Sequence, residues 1–210
     1  MIRVLIVDDH TIVRDGLKQI LAETSDIVVA DEAQNGQEAI GKVREDGYDV
    51  VVLDVAMPGQ DGLSVMRLLK QEKPSLAVLV LSMYPEEQYA IRFLKTGAAG
   101  YLTKESASDE LIHAIRRVAE GGKYVSRALA ERLAWNVSAD VVEHSHEMLS
   151  DREYQVMQLI ASGKTVGQIS IELSLSVKTV STYRTRILQK LNLNNNAEIV
   201  RYAINHGLVQ

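Results

Sequence analysis

Between residues 3 and 120, short β-branched runs alternate with stretches of helical period. Strands are predicted at Arg3–Val7, Ile27–Ala33, Val50–Asp54, Ala77–Ser82 and Gly100–Thr103. The first, third and fourth are almost continuously apolar, as strands buried on both faces of a parallel sheet should be. Helices are predicted near 12–23, 37–46, 63–72, 86–96 and 108–120, with Gly97 and Gly121-Gly122 placed for left-handed caps. Five βα units make an open, doubly wound α/β domain with the flavodoxin-like strand order 2-1-3-4-5.

From residue 148 the pattern is wholly helical. Ser150-Asp-Arg-Glu153 and Thr165-Val-Gly-Gln168 match the capping box, and Asn195-Asn-Ala-Glu198 resembles one. Ser176 is the expected N-cap of a helix over Val177–Leu191, a last helix is expected over 196–206, and Gly163 and Gly207 sit where helices should stop. The predicted organisation is an α/β domain over 1–122, a partly helical linker over 123–147, and an all-α four-helix domain over 148–210. Within the linker, Ala128–Trp135 is the helical part and Asn136–His146 a polar stretch. His144 and His146 have the chemistry of metal ligands, but a charged linker makes plain solvated residues the expectation.

With 46% hydrophobic and 24% charged residues the composition is that of an ordinary globular protein. No apolar run approaches the ~20 residues that span a bilayer, and the start MIRVLIVDDH is not that of a signal peptide. The chain has no cysteine, which excludes disulfides, thiolate catalysis and zinc–thiolate sites. A cytoplasmic protein is expected. The net charge of −5 speaks against a nucleic-acid partner until it is divided. Residues 147–210 hold seven Lys/Arg against five Asp/Glu, and Lys178–Lys190 holds four basic residues and no acid. An acidic domain is thus joined to a small one able to approach phosphates.

Ligands of open α/β sheets bind beyond the carboxyl ends of the strands. Those ends carry Asp8 and Asp9 after strand one, Asp54 after strand three, Ser82 after strand four and Lys104 after strand five. Three converging carboxylates raise one another's pKa unless cations offset them. Lys104 is one such cation and a hard divalent ion, Mg²⁺, the other. Such a site can transfer a phosphoryl group to a carboxylate, and Asp54 is the expected nucleophile, ending a central strand before the loop Val55-Ala-Met-Pro-Gly-Gln-Asp-Gly62.

Residues 1–121 resemble the receiver domain of two-component response regulators, through VLIVDDH, VVLDVAMPGQDG, VLVLS and GAAGYLTK. The resemblance implies that Asp9 and Asp54 bind Mg²⁺ with the Ala56 carbonyl, Asp8 assisting through water or as a ligand. It implies a sensor histidine kinase or a small phosphodonor as source of the phosphoryl group, which Ser82 and Lys104 then grip. Tyr101 matches the aromatic whose inward rotation reports phosphorylation. Many receivers have proline after the lysine, allowing a cis bond. Here Glu105 follows, and a cis bond without proline costs roughly 3 kcal/mol.

On the 177–191 helix, Val177, Val180, Ile187, Leu188 and Leu191 fall on one arc and are expected in the core. Opposite them Lys178, Ser181, Thr182 and Thr185 form a stripe of small polar groups with one cation, suited to the major groove. Thr179, Arg186 and Lys190 flank it, placed for phosphates. For Arg184, pairing within the domain competes evenly with phosphate contact. The segments LSDRE, LIASGKTVGQIS, LSLSVKTVSTYR, ILQKLNL and YAINHGLV are similar to the LuxR-type helix-turn-helix. With the receiver, the chain resembles the NarL/FixJ class of response regulators throughout, and Tyr183-Arg184 the GacA/UvrY-like subgroup. Asn194-Asn195-Asn196 departs from the usual basic or threonine-bearing turn. The resemblance implies a homodimer on double-stranded DNA, paired through the last helix, with RNA polymerase as a further partner.

Two other readings stand beside this one. A phosphoaspartyl phosphohydrolase wants a second carboxylate two residues after its nucleophile, and position 56 is alanine. A phosphorylation-independent DNA-binding regulator would use the receiver only to dimerise, which the complete set of Asp8, Asp9, Asp54, Ser82 and Lys104 argues against.

Overall fold

The computed structural model describes residues 1–45, 47–57, 62–84, 86–127, 129–131 and 145–209. The chain divides into two compact units, Met1–Asp140 and Val141–Gln210. The helix expected over Ala128–Trp135, the polar stretch up to His144 and residues 58–61 of the loop after Asp54 lie outside the described residues, apart from 129–131.

In the first unit, β1 (Ile2–Val7), β2 (Ile27–Ala33), β3 (Val50–Asp54), β4 (Ala77–Ser82) and β5 (Gly100–Thr103) alternate with α1 (Thr11–Ala22), α2 (Gly36–Glu45), α3 (Gly62–Glu72), α4 (Glu86–Lys95) and α5 (Ala107–Ala119). The sheet is parallel, in the order β2-β1-β3-β4-β5. The expected fold is therefore present, every element within a residue of its predicted bounds. Strand residues alternate between faces. Val4, Ile6, Val50, Val52, Leu79 and Leu81 thus join Leu17 and Leu21 of α1 with Leu111 and Ile115 of α5 in one core. Leu5, Val7, Val51, Leu53 and Val80, on the opposite face, are equally buried. Each such side chain contributes roughly 1.5–3 kcal/mol, and this two-sided burial explains the unbroken apolar runs of β3 and β4. Gly97 and Gly121 end α4 and α5 with positive φ, 101° and 82°.

The sheet does not stop at β5. The backbone N–H of Tyr124 donates to the Ala99 carbonyl (2.9 Å), and its own carbonyl accepts from Tyr101 N (3.2 Å). A residue assigned by sequence to the linker thus covers the β5 edge, the kind of exposed ladder that invites pairing with another chain. Its phenol donates to Glu110 (2.9 Å), and burial, then that carboxylate, pushes the phenol pKa up to about 12.

In the second unit a 3₁₀ turn, Ser145–Met148, leads into α6 (Asp151–Ala161), α7 (Val166–Glu172), α8 (Val177–Leu191) and α9 (Asn196–Asn205). Both predicted capping boxes form, at Ser150/Glu153 and Thr165/Gln168. Asn195 caps Glu198 N, but the Glu198 carboxylate accepts from Asn194 N instead of closing the box on Asn195. One expectation is corrected. His146 is buried, only 8% exposed. Its backbone N–H donates to Tyr202 Oη, with its ring Nδ1 also 3.1 Å from that oxygen. The ring lies among Tyr154, Tyr202 and His206. A polar neighbourhood in sequence could not show that α9 supplies an aromatic wall.

Gly100 is the tightest point of the β5 edge. A Cβ there would lie 2.7 Å from the Tyr124 carbonyl oxygen and 2.9 Å from Leu79 Cδ1. Gly100→Ala is expected to destabilise the first unit by about 1–3 kcal/mol, read as a lower urea midpoint. An unchanged midpoint would show that the edge yields without cost.

Candidate functional site

The register of the sheet brings the chemistry together. Val7 lies beside Leu53, so Asp8 follows next to Asp54, and Asp54 pairs with Leu81 just before Ser82. Lys104 N donates to the Ser82 carbonyl (2.8 Å), extending the ladder one step past β5. From there its ammonium reaches Asp8 Oδ2 at 2.7 Å and Asp54 Oδ2 at 2.8 Å. Both acids are 1% exposed. The peptide bonds of the described residues are all trans, including that after Lys104, in keeping with the missing proline.

The remaining oxygens are unequal. Asp54 Oδ1 accepts from Ala56 N (2.8 Å) and Asp8 Oδ1 from His10 N (2.8 Å). Asp9 Oδ1 is buried and accepts no hydrogen bond from the described residues. His10 Nδ1 stands 3.0 Å from it, an ion pair when that ring is protonated. One donor atom from each of Asp8, Asp9, His10 and Asp54 lies within 4.8 Å of the others. A buried anionic oxygen without a donor, beside two further carboxylates, fits a hard divalent cation. Burial pushes the Asp54 carboxyl upward and the Asp8 charge adds to it, with Lys104 and the Ala56 amide opposing. For Lys104, burial presses the pKa down, but the hydrogen bonds it donates to Asp54 and Asp8 outweigh it and the ammonium is held above its usual range.

Ser82 is fully buried, and its Oγ accepts from Tyr84 N (3.0 Å). Tyr101 is turned inward, 1% exposed, and its hydroxyl donates to the Tyr84 carbonyl (3.0 Å) while its ring lies against Phe93. The peptide groups of Tyr84 therefore tie Ser82 and Tyr101 to one segment, whose ring stacks on Tyr89. Sequence reasoning passed over Tyr84, His10 and Arg14. The Arg14 guanidinium is buried under the pocket, donating to the Asp8 carbonyl (2.8 Å), Glu32 (2.8 Å) and Thr11 (3.2 Å). An arginine on the buried face of α1 was the available signal.

In the second unit α7 and α8 are joined by 173–176, where Ser174 takes positive φ (53°) and Ser176 caps α8 through Thr179 N (3.0 Å). Lys178, Ser181, Thr182 and Thr185 are all exposed, as is Arg186, with Thr179 half-buried. A shallow open groove is lined by Lys178, Thr179, Thr182, Tyr183 and Arg186. Thr182 and Thr185 donate their hydroxyl protons back to the Lys178 and Ser181 carbonyls, which leaves their oxygens as acceptors. Val177 departs from expectation: it is 55% exposed rather than in the core. Helical angle alone assumes a core under the whole helix, and the first turn of α8 extends beyond it. Lys190 is held within the unit, donating to Glu153 (2.6 Å) and the Met148 carbonyl (3.1 Å). Arg184 likewise pairs inside, with Asn196 Oδ1 (2.5 Å), so the unusual asparagine turn anchors the side chain whose role the sequence left open.

Residues 4–116 match the family of response regulator receiver domains, and residues 147–203 that of bacterial regulatory proteins of the luxR family. The chain is 39% identical to the response regulator GacA of Pseudomonas protegens, over all of this chain and 98% of that one. It is 38% identical to UvrY of Escherichia coli K12, over 99% and 96%. Among solved structures it is similar to RcsB of Salmonella enterica serovar Typhimurium bound to promoter rprA with the phosphomimetic BeF3-. That match has TM-score 0.60 and 26% identity over 96% of this chain and 97% of RcsB. Another RcsB structure holds two dimers on two parallel DNAs, with TM-score 0.59 and 26% identity over 97% and 98%. A five-stranded acidic-ended α/β unit followed by a helix-turn-helix unit, matched along its whole length, makes this chain a GacA/UvrY-like response regulator with a receiver domain and a LuxR-type DNA-binding domain.

Proposed function

We propose that Asp54 is the phosphoryl acceptor of this transcription regulator, and that its phosphorylation promotes dimeric promoter binding by the second unit. The observation that carries this is Lys104 held at 2.7 and 2.8 Å from two buried acids at adjacent strand ends. The Asp54 carboxylate attacks the phosphorus in line as the bond to the donor breaks, the donor being a histidine kinase's phosphohistidine or a small acyl phosphate. Lys104 neutralises charge on the phosphoryl oxygens. The Ser82 hydroxyl, which accepts from Tyr84, still has its own proton to donate to them. Asp9 and Asp54 hold Mg²⁺ with the Ala56 carbonyl, Asp8 directly or through water. When bound, that ion supplies the remaining positive charge against the transferring group. Movement of Ser82 towards the phosphoryl group pulls on Tyr84 and hence on Tyr101, which gives the switch a physical path.

In the second unit Lys178, Ser181, Thr182 and Thr185 face the bases, with Thr179 and Arg186 on phosphates. Lys190 contributes there only by releasing Glu153. Exposed Ile204 on α9 supports pairing of two copies through that helix. The domain bounds are 1–122 and 148–210, slow self-dephosphorylation accompanies the switch, and RNA polymerase is the downstream partner. Among the described residues no helix is long and apolar enough to cross a membrane, and the proposed site of action is the cytoplasm.

Incubation with acetyl phosphate and Mg²⁺ is expected to add one phosphoryl group by mass spectrometry, absent in Asp54→Ala. No addition to the parent chain would favour a phosphorylation-independent regulator. Lys104→Met leaves two buried carboxylates without their cation and should cost about 3–5 kcal/mol. That cost is read as a lower Tm in chelator, and an unchanged Tm would show that Lys104 does not hold the acids together. Arg186→Ala should weaken promoter binding and, by removing one phosphate contact, lower the slope of log K against log salt by about 0.9. An unchanged slope would take Arg186 off the phosphates.

A further inference from the structure

We propose that His10 is itself a ligand of the divalent ion in this pocket, and that it tilts the site towards transition ions over Mg²⁺. The inference rests on the metal reading above and adds a nitrogen to its all-oxygen donor set.

His10 follows the acid pair at the end of β1 and stands at the N-terminal boundary of α1, with an extended backbone (φ −92°, ψ 110°). It makes no side-chain cap there. Its ring is turned to the pocket instead: Nδ1 lies 3.0 Å from Asp9 Oδ1 and makes a 3.3 Å hydrogen bond with Asp8 Oδ1, contacts that an ion held between these atoms would replace. Two donors bound to one ion at ~2.1 Å and at right angles are ~3.0 Å apart. The two distances are compatible with adjacent corners of one coordination sphere, as they are with the hydrogen bond and ion pair that the ring makes without an ion. Of these three atoms, Asp9 Oδ1 is buried with no hydrogen bond, so the corner most in want of a cation is the one nearest the imidazole. The backbone locks this arrangement, because His10 N donates to the same Asp8 Oδ1. Lys104 cannot fill the place, since its ammonium is engaged with Asp8 Oδ2 and Asp54 Oδ2. Carboxylates and water suit Mg²⁺, whereas an added imidazole favours ions later in the first transition row.

The test uses the full-length chain with Mn²⁺, Co²⁺ and Mg²⁺ as probes. Pulsed EPR of the Mn²⁺ complex should show ¹⁴N coupling from a directly bound imidazole, lost in both His10→Ala and His10→Phe, the second keeping the ring's bulk. Calorimetry should show the Co²⁺-to-Mg²⁺ affinity ratio falling by at least ~10-fold in both variants, the scale on which even outer-shell partners matter. Circular dichroism checks that α1 persists. Metal binding by the parent chain without ¹⁴N coupling, or with the same ratio in the variants, overturns the role of His10 and leaves the metal reading standing. Failure of the parent chain to bind any of the three ions overturns both.

Discussion

One ammonium group makes the first unit possible as it stands. Asp8 and Asp54 end neighbouring central strands and are almost fully buried, so their charges would otherwise repel in a medium too dry to screen them. Lys104 takes one oxygen from each. It can do so only because β5 lies two strands from β3 and three from β1, and its ladder runs one residue past its end, through Lys104 N and the Ser82 carbonyl. Sheet order, strand length and acid chemistry are thus one constraint. The cation is deliberately insufficient, since one positive charge faces three carboxylates, and Asp9 Oδ1 is left without a donor. The fold thus gathers a net anionic cluster at the strand ends.

The two units solve opposite electrostatic problems. The first gathers negative charge at a point and sets a single ammonium against it. The second keeps acids away from the exposed side of α8 and ties two of its four basic side chains inward, Arg184 to Asn196 and Lys190 to Glu153. What remains outward is a narrow stripe of short polar groups whose hydroxyls bond back along the helix. Such side chains lose little freedom on meeting a partner, because they are already fixed.

Most of the fold was legible because its signals are local. Apolar runs ended by an acid, a glycine or a capping box set the strands and helices, and the glycines at 97, 121, 163 and 207 all adopt positive φ. The convergence of Asp8, Asp54, Ser82 and Lys104 was legible too, because strand order turns separate strand ends into neighbours. What escaped depends on contacts distant in sequence. Tyr124 joins the sheet edge through Ala99 and Tyr101, and His146 is buried by residues of α6 and α9, fifty or more positions on in the case of α9. Val177 was misplaced because spacing gives a direction around the helix axis and not the depth of core beneath it. Tyr84 acts through its backbone, which no side-chain pattern reveals.

Glu153 shows how tightly the second unit is written. Its carboxylate accepts from Ser150 N (2.8 Å) to close the first turn of α6, and the same Oε2 accepts from Lys190 (2.6 Å) near the end of α8. The start of α6 and the end of α8 therefore share a single atom. Groups bound into one network do not contribute additively. In evolutionary terms, positions 153 and 190 are coupled: replacing either takes from the other its oppositely charged partner, so a change at the end of α8 alters what the start of α6 can tolerate.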